Sequence, residues 1–336
     1  MPRRRWVITV LSLALASSAM GASPPTTRPA EVPNVRRPAN DEELRYWLEN
    51  MLWHHRFAAD EIRAATGMSV PEITSALRRF DIREENRPAR PASGPLLVLP
   101  YPGGRHPRIG FLEGAVEPQR ETKVSIFAPW DDRSYLVADV PEAIWCNGSL
   151  LYLAHTHRPT VWTEQGIELE KLEWNRRPDG TLDFERKLPN AVKFGTKVVP
   201  RHDAVWFEMW LTNGTPQTLT GLRVQMCNML KGMIGFTTAT KEDRVNDKPY
   251  TACRSADGKR YVIAAWEPCE KLWLNPPVPC LHSDPQFPDC KPDETQRLRG
   301  VIAFYEGSDV TSAFRKLDAT GWRKLTPTTA PTWPGP

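Results

Sequence analysis

Two histidines one residue apart stand in a stretch of β-forming residues, 150–157 (LLYLAHTH). Because side chains alternate along a strand, His155 and His157 are expected on one face of it. Trp162 and Glu164 follow closely, so the segment combines two imidazoles, an indole and a carboxylate. This combination predicts general acid–base chemistry, with His155, His157 and Glu164 as catalytic candidates and Trp162 as a ligand contact. A metal site begun by the two imidazoles, and two purely structural histidines, are the alternatives.

A second candidate site lies in residues 280–290 (CLHSDPQFPDC), where two cysteines enclose a polar stretch with two prolines. The spacing predicts a surface loop closed by a Cys280–Cys290 disulfide, worth about 2–3 kcal/mol through loop entropy. This loop would hold His282 as a further catalytic candidate and Asp284 as a ligand-binding candidate. An ordinary surface loop is one alternative. A zinc site of Cys280, His282 and Cys290 is another, although the spacing matches no compact Cys-x-x-Cys knuckle.

Aromatic rings next to charged groups provide further ligand-binding candidates. The chain has 13 Trp, and sugars present apolar C–H faces that stack on such rings. Trp174 and Arg176 form the strongest pair, because an arginine can also clamp a uronate carboxylate with two hydrogen bonds. The sequence predicts no cofactor and no metal. It lacks the P-loop, GxGxxG, GxSxG and HExxH motifs, which disfavours NTPases, Rossmann dehydrogenases, α/β-hydrolases and zincins.

The elements that must position these residues are predicted to be mainly β-strands. From residue 101 onward, short β-rich segments alternate with turn signals such as Asn147-Gly148. Ten such segments without helical periodicity between them predict one large antiparallel β-sandwich over residues 101–320. One late helix is predicted at 310–317, capped by Ser308. The ten segments are 123–128, 135–140, 150–157, 167–174, 181–188, 194–200, 204–212, 219–227, 261–266 and 300–305.

One long stretch carries a family resemblance. Residues 188–228 (LPNAVKFGTKVVPRHDAVWFEMWLTNGTPQTLTGLRVQMCN) contain a strand, a polar turn, a strand that ends in LTNGT and a strand that starts after LTGLRV. This succession resembles the galactose-mutarotase-like supersandwich domains, and the resemblance extends at most over residues 111–305. It implies a supersandwich-like fold. Those epimerases use a histidine acid and a distant glutamate base, and neither role is transferred to a residue of this chain. The chain is also similar to a secreted bacterial family, which adds no chemistry.

Residues 41–82 are predicted to form a small α-helical module before the sandwich. Apolar residues recur at helical spacing from Leu44 to Leu52, and Gly67 should end a second helix. Ser69 and Glu72 form a capping box for a third helix. The stretch 61–80 resembles a helix-turn-helix. We interpret it as a packing or partner-binding module rather than a DNA reader, because the chain also carries an export signal.

The N-terminus has the composition of a cleaved signal peptide, residues 1–22. Three arginines precede an apolar run of about 11 residues (6–16), which is too short to span a bilayer comfortably, and small residues follow. Cleavage is expected near Gly21 or Ala22, with an uncleaved anchor as the alternative. The Pro-rich stretches 23–40 and 83–100 are predicted to be linkers, and residues 321–336 a flexible tail.

Composition and charge limit the partners. The chain has 336 residues, 40% of them hydrophobic and 25% charged, as in a typical globular protein. The net charge of +4 comes from residues 1–40, which hold six Arg and one acid, so residues 41–336 sum to −1. Such a body has no general attraction for nucleic acid.

Together these observations predict an exported protein, secreted or periplasmic, that interacts with an oligo- or polysaccharide. It would be a sugar-active enzyme of the isomerase or lyase type that uses His and Glu groups. The alternative is a non-catalytic carbohydrate-binding or envelope structural protein. No nucleic acid and no membrane span in the mature chain are expected, and residues 41–82 could bind a protein partner.

Overall fold

The computed structural model describes residues 35–91, 93–107, 120–155, 158–202, 204–237, 240–274 and 278–324. These residues belong to one compact unit that spans residues 33–336. The predicted signal peptide, most of the first linker and the end of the predicted tail lie outside the described residues, and so does His157. Within the described ranges, no helix is both long and apolar enough to span a membrane.

Most of the described chain forms two antiparallel β-sheets, which confirms the predicted β-sandwich preceded by a helical module. The strands are β1 (Val98–Pro100), β2 (Lys123–Phe127), β3 (Tyr135–Cys146), β4 (Ser149–Leu153), β5 (Asn175–Arg176), β6 (Leu182–Lys187), β7 (Lys193–Pro200), β8 (Ala204–Thr212), β9 (Arg223–Met229), β10 (Arg244–Asp247), β11 (Tyr250–Arg254), β12 (Arg260–Glu267), β13 (Cys269–Trp273), β14 (Cys280–Pro285) and β15 (Thr295–Glu306). The seven-stranded sheet has the order β1-β2-β3-β9-β14-β13, with β4 also paired to β3. The eight-stranded sheet has the order β10-β11-β12-β15-β8-β7-β6-β5.

The main core lies between the two sheets. Every second residue of the central strands points into it, for example Val124 and Ile126 on β2 and Phe207 and Met209 on β8. Because the side chains of a strand alternate, the residues between these positions point to the outer face of each sheet. The outer face of a sheet therefore carries its own set of side chains, and both outer faces are covered by helices.

The outer face of the eight-stranded sheet is covered by a C-terminal helix, α4 (Val310–Ala319), which buries Phe314 and Leu317. The predicted helix 310–317 is present, but its cap is Asp309 rather than Ser308: the Asp309 side chain accepts a hydrogen bond from the backbone N–H of Ser312. Residues 321–324, assigned to the flexible tail from sequence, continue this layer as a 3-10 turn in which Trp322 is buried.

The N-terminal helices are α1 (Asp41–Glu49), α2 (Ala59–Thr66) and α3 (Val70–Arg79), and a π-helical turn (Asn50–His54) follows α1. Their ends have the predicted local chemistry. Gly67 ends α2 with a φ of 68°, and Ser69 and Glu72 form the capping box of α3. The Ser69 hydroxyl and the Glu72 carboxylate thus satisfy backbone N–H groups that the helix itself cannot.

The helical module packs on the outer face of the chain's own seven-stranded sheet. Trp47 and Met51 share one apolar cluster with Phe127, Tyr135 and other residues of that face. A buried histidine of the module also reaches the sheet. His55 contacts the Ser125 hydroxyl through Nε2, with 2.7 Å between the atoms, and the Asn50 carbonyl through Nδ1 at 3.1 Å. The apolar side of the module is therefore already occupied within the chain.

The strands differ from the sequence prediction in several places. Four of them, β1, β10, β11 and β13, were not predicted, and β1 lies in the predicted linker 83–100. Residues 167–174 form no strand, although their residue types favour one. The predicted surface loop that begins at Cys280 starts instead with a fully buried strand, β14, because it pairs with β9 on one side and β13 on the other. Its prolines come at the end of the strand or after it, where the lack of an N–H interrupts no ladder.

Candidate functional site

A row of polar side chains crosses the outer face of the seven-stranded sheet. Lys123 on β2 pairs with Asp139 on β3, and Asp139 pairs with Cys227 on β9. On the next strand, Cys280 lies opposite Met229 and Leu281 opposite Asn228, which brings His282 beside Cys227. Trp273 on β13 pairs with His282. Strand register alone thus aligns a lysine, an aspartate, a cysteine, a histidine and a tryptophan from five strands.

The row is buried although most of its members are polar. Lys123, Asp139 and Cys227 have no exposed surface, and His282 is 1% exposed. An unpaired charge at such a depth would cost several kcal/mol, so these groups are expected to be paired with one another. The residues of the row and their neighbours form two clusters: a carboxylate–histidine cluster around Asp139 and a thiol–histidine cluster around His282.

The carboxylate–histidine cluster consists of Asp139, Glu142, His155 and Lys123. The Lys123 ammonium lies 2.9 Å from one Asp139 oxygen and donates to the Ala154 carbonyl at 3.1 Å. Nε2 of His155 lies 3.3 Å from the other Asp139 oxygen and also 3.3 Å from a Glu142 oxygen. His155 follows β4, and Glu142 lies where the pairing of β3 with β9 shifts between Asp139 and Ala143. This irregularity brings two carboxylates of the same strand to one imidazole.

The thiol–histidine cluster consists of Cys227, Cys280, His282, Asp284 and Trp273. The Cys280 sulfur is 3.2 Å from Nε2 of His282, and Nδ1 of the same ring faces an Asp284 oxygen at 3.8 Å. The Trp273 ring stacks on His282 with 3.9 Å between centroids. Burial alone would lower the pKa of His282, but the Asp284 carboxylate and the Cys280 sulfur raise that pKa to about 10.

The Asp284 carboxylate is held in place by two donors. One oxygen accepts from the backbone N–H of Met226 at 3.0 Å. The other accepts from Nε1 of Trp273 at 2.5 Å. The orientation of the His282 ring is therefore determined on both sides, by a fixed carboxylate at Nδ1 and by a sulfur at Nε2.

A third set of buried charges lies next to the row. Glu121 accepts hydrogen bonds from Arg186, at 2.9 Å, and from Arg36. Arg120 stacks over the Trp47 ring, 4.0 Å from its centroid, and bonds the Glu173 carboxylate. Arg120 and Glu121 lie just before β2, so these contacts connect the start of β2 to the helical module and to β6.

Of the residues predicted as catalytic, the structure brings His155 and His282 to the same sheet face. His157 lies outside the described residues. Glu164 is exposed, in a 3-10 turn (Thr163–Gln165). Glu164 is therefore not one of the buried side chains, and its predicted role stays a prediction.

Of the predicted ligand-binding residues, only Asp284 belongs to one of the two clusters, the thiol–histidine cluster. Trp162 and Trp174 are buried in the core between the sheets, and their Nε1 atoms donate to the carbonyls of Leu151 and Lys123. Arg176 stacks on the Tyr46 ring and pairs with Glu43 of the helical module. These three side chains have partners within the protein.

The predicted Cys280–Cys290 disulfide is wrong. All six cysteines lie in the described part of the chain, and none of them forms a disulfide. Cys280 is on the outer face of β14, whereas Cys290 belongs to the core between the sheets and donates to the Glu294 carbonyl at 3.2 Å. Because residues 280–285 are a strand, the two cysteines are held on different layers and cannot close a loop.

An open groove of about 830 Å³ lies at another part of the molecule. Its walls combine apolar and aromatic residues, such as Phe127 and Trp130, with two histidines, His54 and His202. The walls also carry charges of both signs: Arg87, Arg90, Asp131, Asp132 and Asp179. Burial and the charges of Arg87 and Arg90 lower the pKa of His54 to about 4. This histidine is therefore neutral near pH 7.

Five members of the clusters were not predicted as site residues: Lys123, Asp139, Glu142, Cys227 and Trp273. The first four lie in apolar β-rich segments, where isolated polar residues give no local signal. The spacing Cys280-x-His282-x-Asp284 does carry a signal, because residues at i, i+2 and i+4 share one face of a strand. The signal was missed because the segment was interpreted as a loop.

Comparisons with known proteins give distant likenesses. No protein-family model and no curated protein matches the chain. The Slr1438 protein from Synechocystis sp. PCC 6803 is similar in structure, with 10% identity, a TM-score of 0.32, and coverage of 56% of this chain and 88% of that chain. A protein described as "Putative kojibiose phosphorylase from human microbiome" has 7% identity and a TM-score of 0.34, with coverage of 70% of this chain and 36% of that one. At such TM-scores neither likeness assigns a family or a function to this chain.

Proposed function

We propose that the protein is an exported, carbohydrate-active enzyme of the isomerase or lyase type whose proton-transfer groups are His155, Asp139 and Glu142. The observation that carries the proposal is the position of His155 Nε2, 3.3 Å from an oxygen of each carboxylate. An imidazole within reach of two carboxylates is an arrangement suited to general acid–base catalysis. Removal of a proton from the carbon next to a carbonyl or carboxyl group, where an enolate can form, is the step that sugar isomerases and lyases share, and a positioned base performs it.

The surroundings of His155 support this role. The cluster is shielded from bulk water, so its electrostatic interactions are stronger than they would be at the surface. Lys123 balances one of the two carboxylates, since its ammonium lies 2.9 Å from Asp139. Glu142 is oriented by the Gln225 amide, which donates to its second oxygen at 2.5 Å. The three groups are therefore held in one arrangement.

Export and the sandwich type belong to the same proposal. The support for a cleaved signal and a secreted or periplasmic protein is the composition of residues 1–22. A galactose-mutarotase-like supersandwich is supported by the succession of residues 188–228, where β7, β8 and β9 follow one another. A carbohydrate partner is the ligand class that this resemblance implies.

A second candidate function, non-catalytic saccharide binding, is favoured by the open groove. Its volume of about 830 Å³ is within the usual range of ligand sites. The Trp130 indole offers an aromatic surface for a sugar ring. Arg87, which pairs with Asp132, and Arg90, which bonds the Asp131 carbonyl, supply charged and polar groups for sugar hydroxyls. Binding in the groove does not require the buried cluster.

The proposal is tested with the purified full chain and a panel of neutral sugars, uronates and their oligosaccharides in D₂O. Proton NMR would detect epimerisation, elimination or the exchange of a carbon-bound proton for deuterium. We expect turnover of at least one substrate and a loss of about 10²–10⁴-fold in the His155→Asn variant. Glu170→Gln, a change at an exposed carboxylate, is the control.

Two results would overturn the assignment. The first is that His155→Asn retains full turnover whereas Glu164→Gln loses it. Glu164, which was predicted from sequence, would then be the catalytic group. Binding without turnover, abolished by Arg90→Met but not by His155→Asn, would establish the groove function in its place.

A further inference from the structure

The thiol–histidine cluster has the composition of a metal site. Three donor atoms, from Cys227, Cys280 and His282, lie within 4.8 Å of one another. Two thiolates and an imidazole are ligands that zinc prefers, whereas calcium and magnesium prefer oxygen. The three side chains come from two neighbouring strands, β9 and β14, whose pairing fixes their separation.

We propose that Cys227, Cys280 and His282 bind one zinc ion, with Nε2 as the histidine ligand. The distance of 3.2 Å between Nε2 and the Cys280 sulfur is close to the edge of a zinc tetrahedron. That edge is about 3.6 Å for Zn–S and Zn–N bonds of about 2.3 Å and 2.0–2.1 Å. A shift of a few tenths of an ångström would admit the ion.

The surroundings of His282 match those of a zinc-bound histidine. Zinc-ligating histidines commonly present the other ring nitrogen to a carboxylate, which fixes the ring and increases the basicity of the ligand. Here Nδ1 faces Asp284 at 3.8 Å. The Trp273 indole and the Met226 N–H fix that carboxylate in turn. A histidine whose only role was to fill space would not need this support.

Charge balance also favours a divalent ion at this depth. Cys227 and Cys280 have no exposed surface. Two thiolates and a neutral imidazole carry a total charge of −2, which Zn²⁺ cancels, so the three ligands and the ion together are neutral beside the Asp284 carboxylate. Three protein ligands leave a fourth tetrahedral position, as in catalytic rather than structural zinc sites.

The site would be distinct from the acid–base cluster in its ligand chemistry. Asp139, Glu142 and His155 also have donor atoms within 4.8 Å of one another, but they offer only oxygen and nitrogen, and the Lys123 ammonium already contacts Asp139. Sulfur neighbours around a bound zinc ion would therefore place the ion at Cys227, Cys280 and His282 rather than at Asp139, Glu142 and His155. The zinc proposal does not depend on the proposed carbohydrate activity.

The first test uses the unaltered full chain, purified without chelators. Elemental analysis should find about one zinc per chain, and X-ray absorption at the zinc edge should show two sulfur neighbours at about 2.3 Å. Exchange for Co²⁺ should produce the near-ultraviolet charge-transfer band of a cobalt–thiolate bond. Zinc with oxygen and nitrogen neighbours only would overturn the proposal, and so would metal-free protein that binds no added Zn²⁺.

The second test uses variants with a matched control. Cys227→Ser and Cys280→Ser should each reduce zinc content at least about tenfold and abolish the cobalt–thiolate band. Cys290→Ser replaces a buried cysteine in the core between the sheets, so it should retain both. Equal zinc loss in all three variants would show that the loss results from misfolding. The X-ray absorption spectrum of the unaltered chain would then decide whether sulfur ligands bind the zinc. A Cys227–Cys280 disulfide in freshly isolated protein would also overturn the proposal.

Discussion

Asp139 and Cys227 face each other directly across β3 and β9. This one pair joins the two buried clusters, because Asp139 contacts Lys123 and His155 while Cys227 lies beside Cys280 and His282. The polar groups of the sheet face are therefore contiguous rather than scattered. Changes to one cluster should be felt in the other, and the balance of charges across the row should be important for stability.

The first prediction concerns the ion pair at one end of the row. Lys123→Met should reduce the free energy of unfolding by about 3–5 kcal/mol, because it leaves the Asp139 carboxylate buried without its cation. The double variant Lys123→Met with Asp139→Asn should lose less than the sum of the single changes, since it removes both charges. Urea unfolding followed by tryptophan fluorescence measures all three free energies.

The matched control is an exposed ion pair of the helical module. Arg45 and Glu49 are four residues apart on α1 and lie 2.8 Å from each other. Arg45→Met should cost less than about 1 kcal/mol, because solvent screens an exposed pair. A similar loss in Lys123→Met and Arg45→Met would contradict the burial of the row.

The second prediction is a loss of stability in mild acid that originates at His55. Burial lowers the pKa of His55 to about 3, from 6.5. Between these values the unfolded chain binds a proton at this residue and the folded chain does not, so stability falls as the pH decreases from about 6.5 towards 3. The contribution lost by pH 4.5 is about 2–3 kcal/mol, at about 1.4 kcal/mol per pKa unit.

Urea unfolding from pH 7 to pH 4.5 tests this dependence. His55→Gln removes the titrating group and can still bond the Ser125 hydroxyl, so its stability should depend less steeply on pH. A residual slope should remain, because the pKa of His54 is also lowered, to about 4. His202→Gln changes an exposed histidine and serves as the control. An unchanged slope in His55→Gln would contradict the prediction.

The sequence predicted the architecture better than the site, for a physical reason. Turn signals and β-rich segments are local, and most of the predicted strands are present. The site depends on strand order instead. Nothing local indicates that Asp139 pairs with Cys227, since the two residues are far apart along the chain and adjacent only because β9 pairs with β3.

The error at residues 280–290 has the same origin. Two prolines and two cysteines are typical of an exposed loop, but Cys280–Pro285 becomes a buried strand because β9 and β13 both pair with it. Long-range pairing overrides local propensity wherever a strand is central. His155 was found from sequence, whereas its partners Asp139 and Glu142 were not.

The third prediction concerns export. Expression in a bacterial host with intact secretion should give a protein that begins near Ala22, recovered from the periplasm or the medium. The reason is the arginine cluster, the apolar run of about 11 residues and the small residues that follow. N-terminal sequencing provides the measurement. A version with Arg3, Arg4 and Arg5 changed to Glu should remain in the cytoplasm, and cytoplasmic protein that retains Met1 would contradict export of the natural chain.

The last prediction is that reductant leaves the thermal stability of the folded protein unchanged. A disulfide between Cys280 and Cys290 would close a loop worth about 2–3 kcal/mol, so its reduction should lower the melting temperature by several degrees. Without such a bridge the melting temperatures with and without tris(2-carboxyethyl)phosphine, a reductant that has no thiol to bind zinc, should agree within about 1 °C. Burial supports persistence of the free thiols even after export, because it raises the pKa of the Cys253 thiol to about 12 and that of the Cys290 thiol above its usual value. Thiols held in the protonated form react slowly with oxidants. Peptide mapping under non-reducing conditions is the direct check, and a peptide that joins Cys280 to Cys290 would restore the loop predicted from sequence.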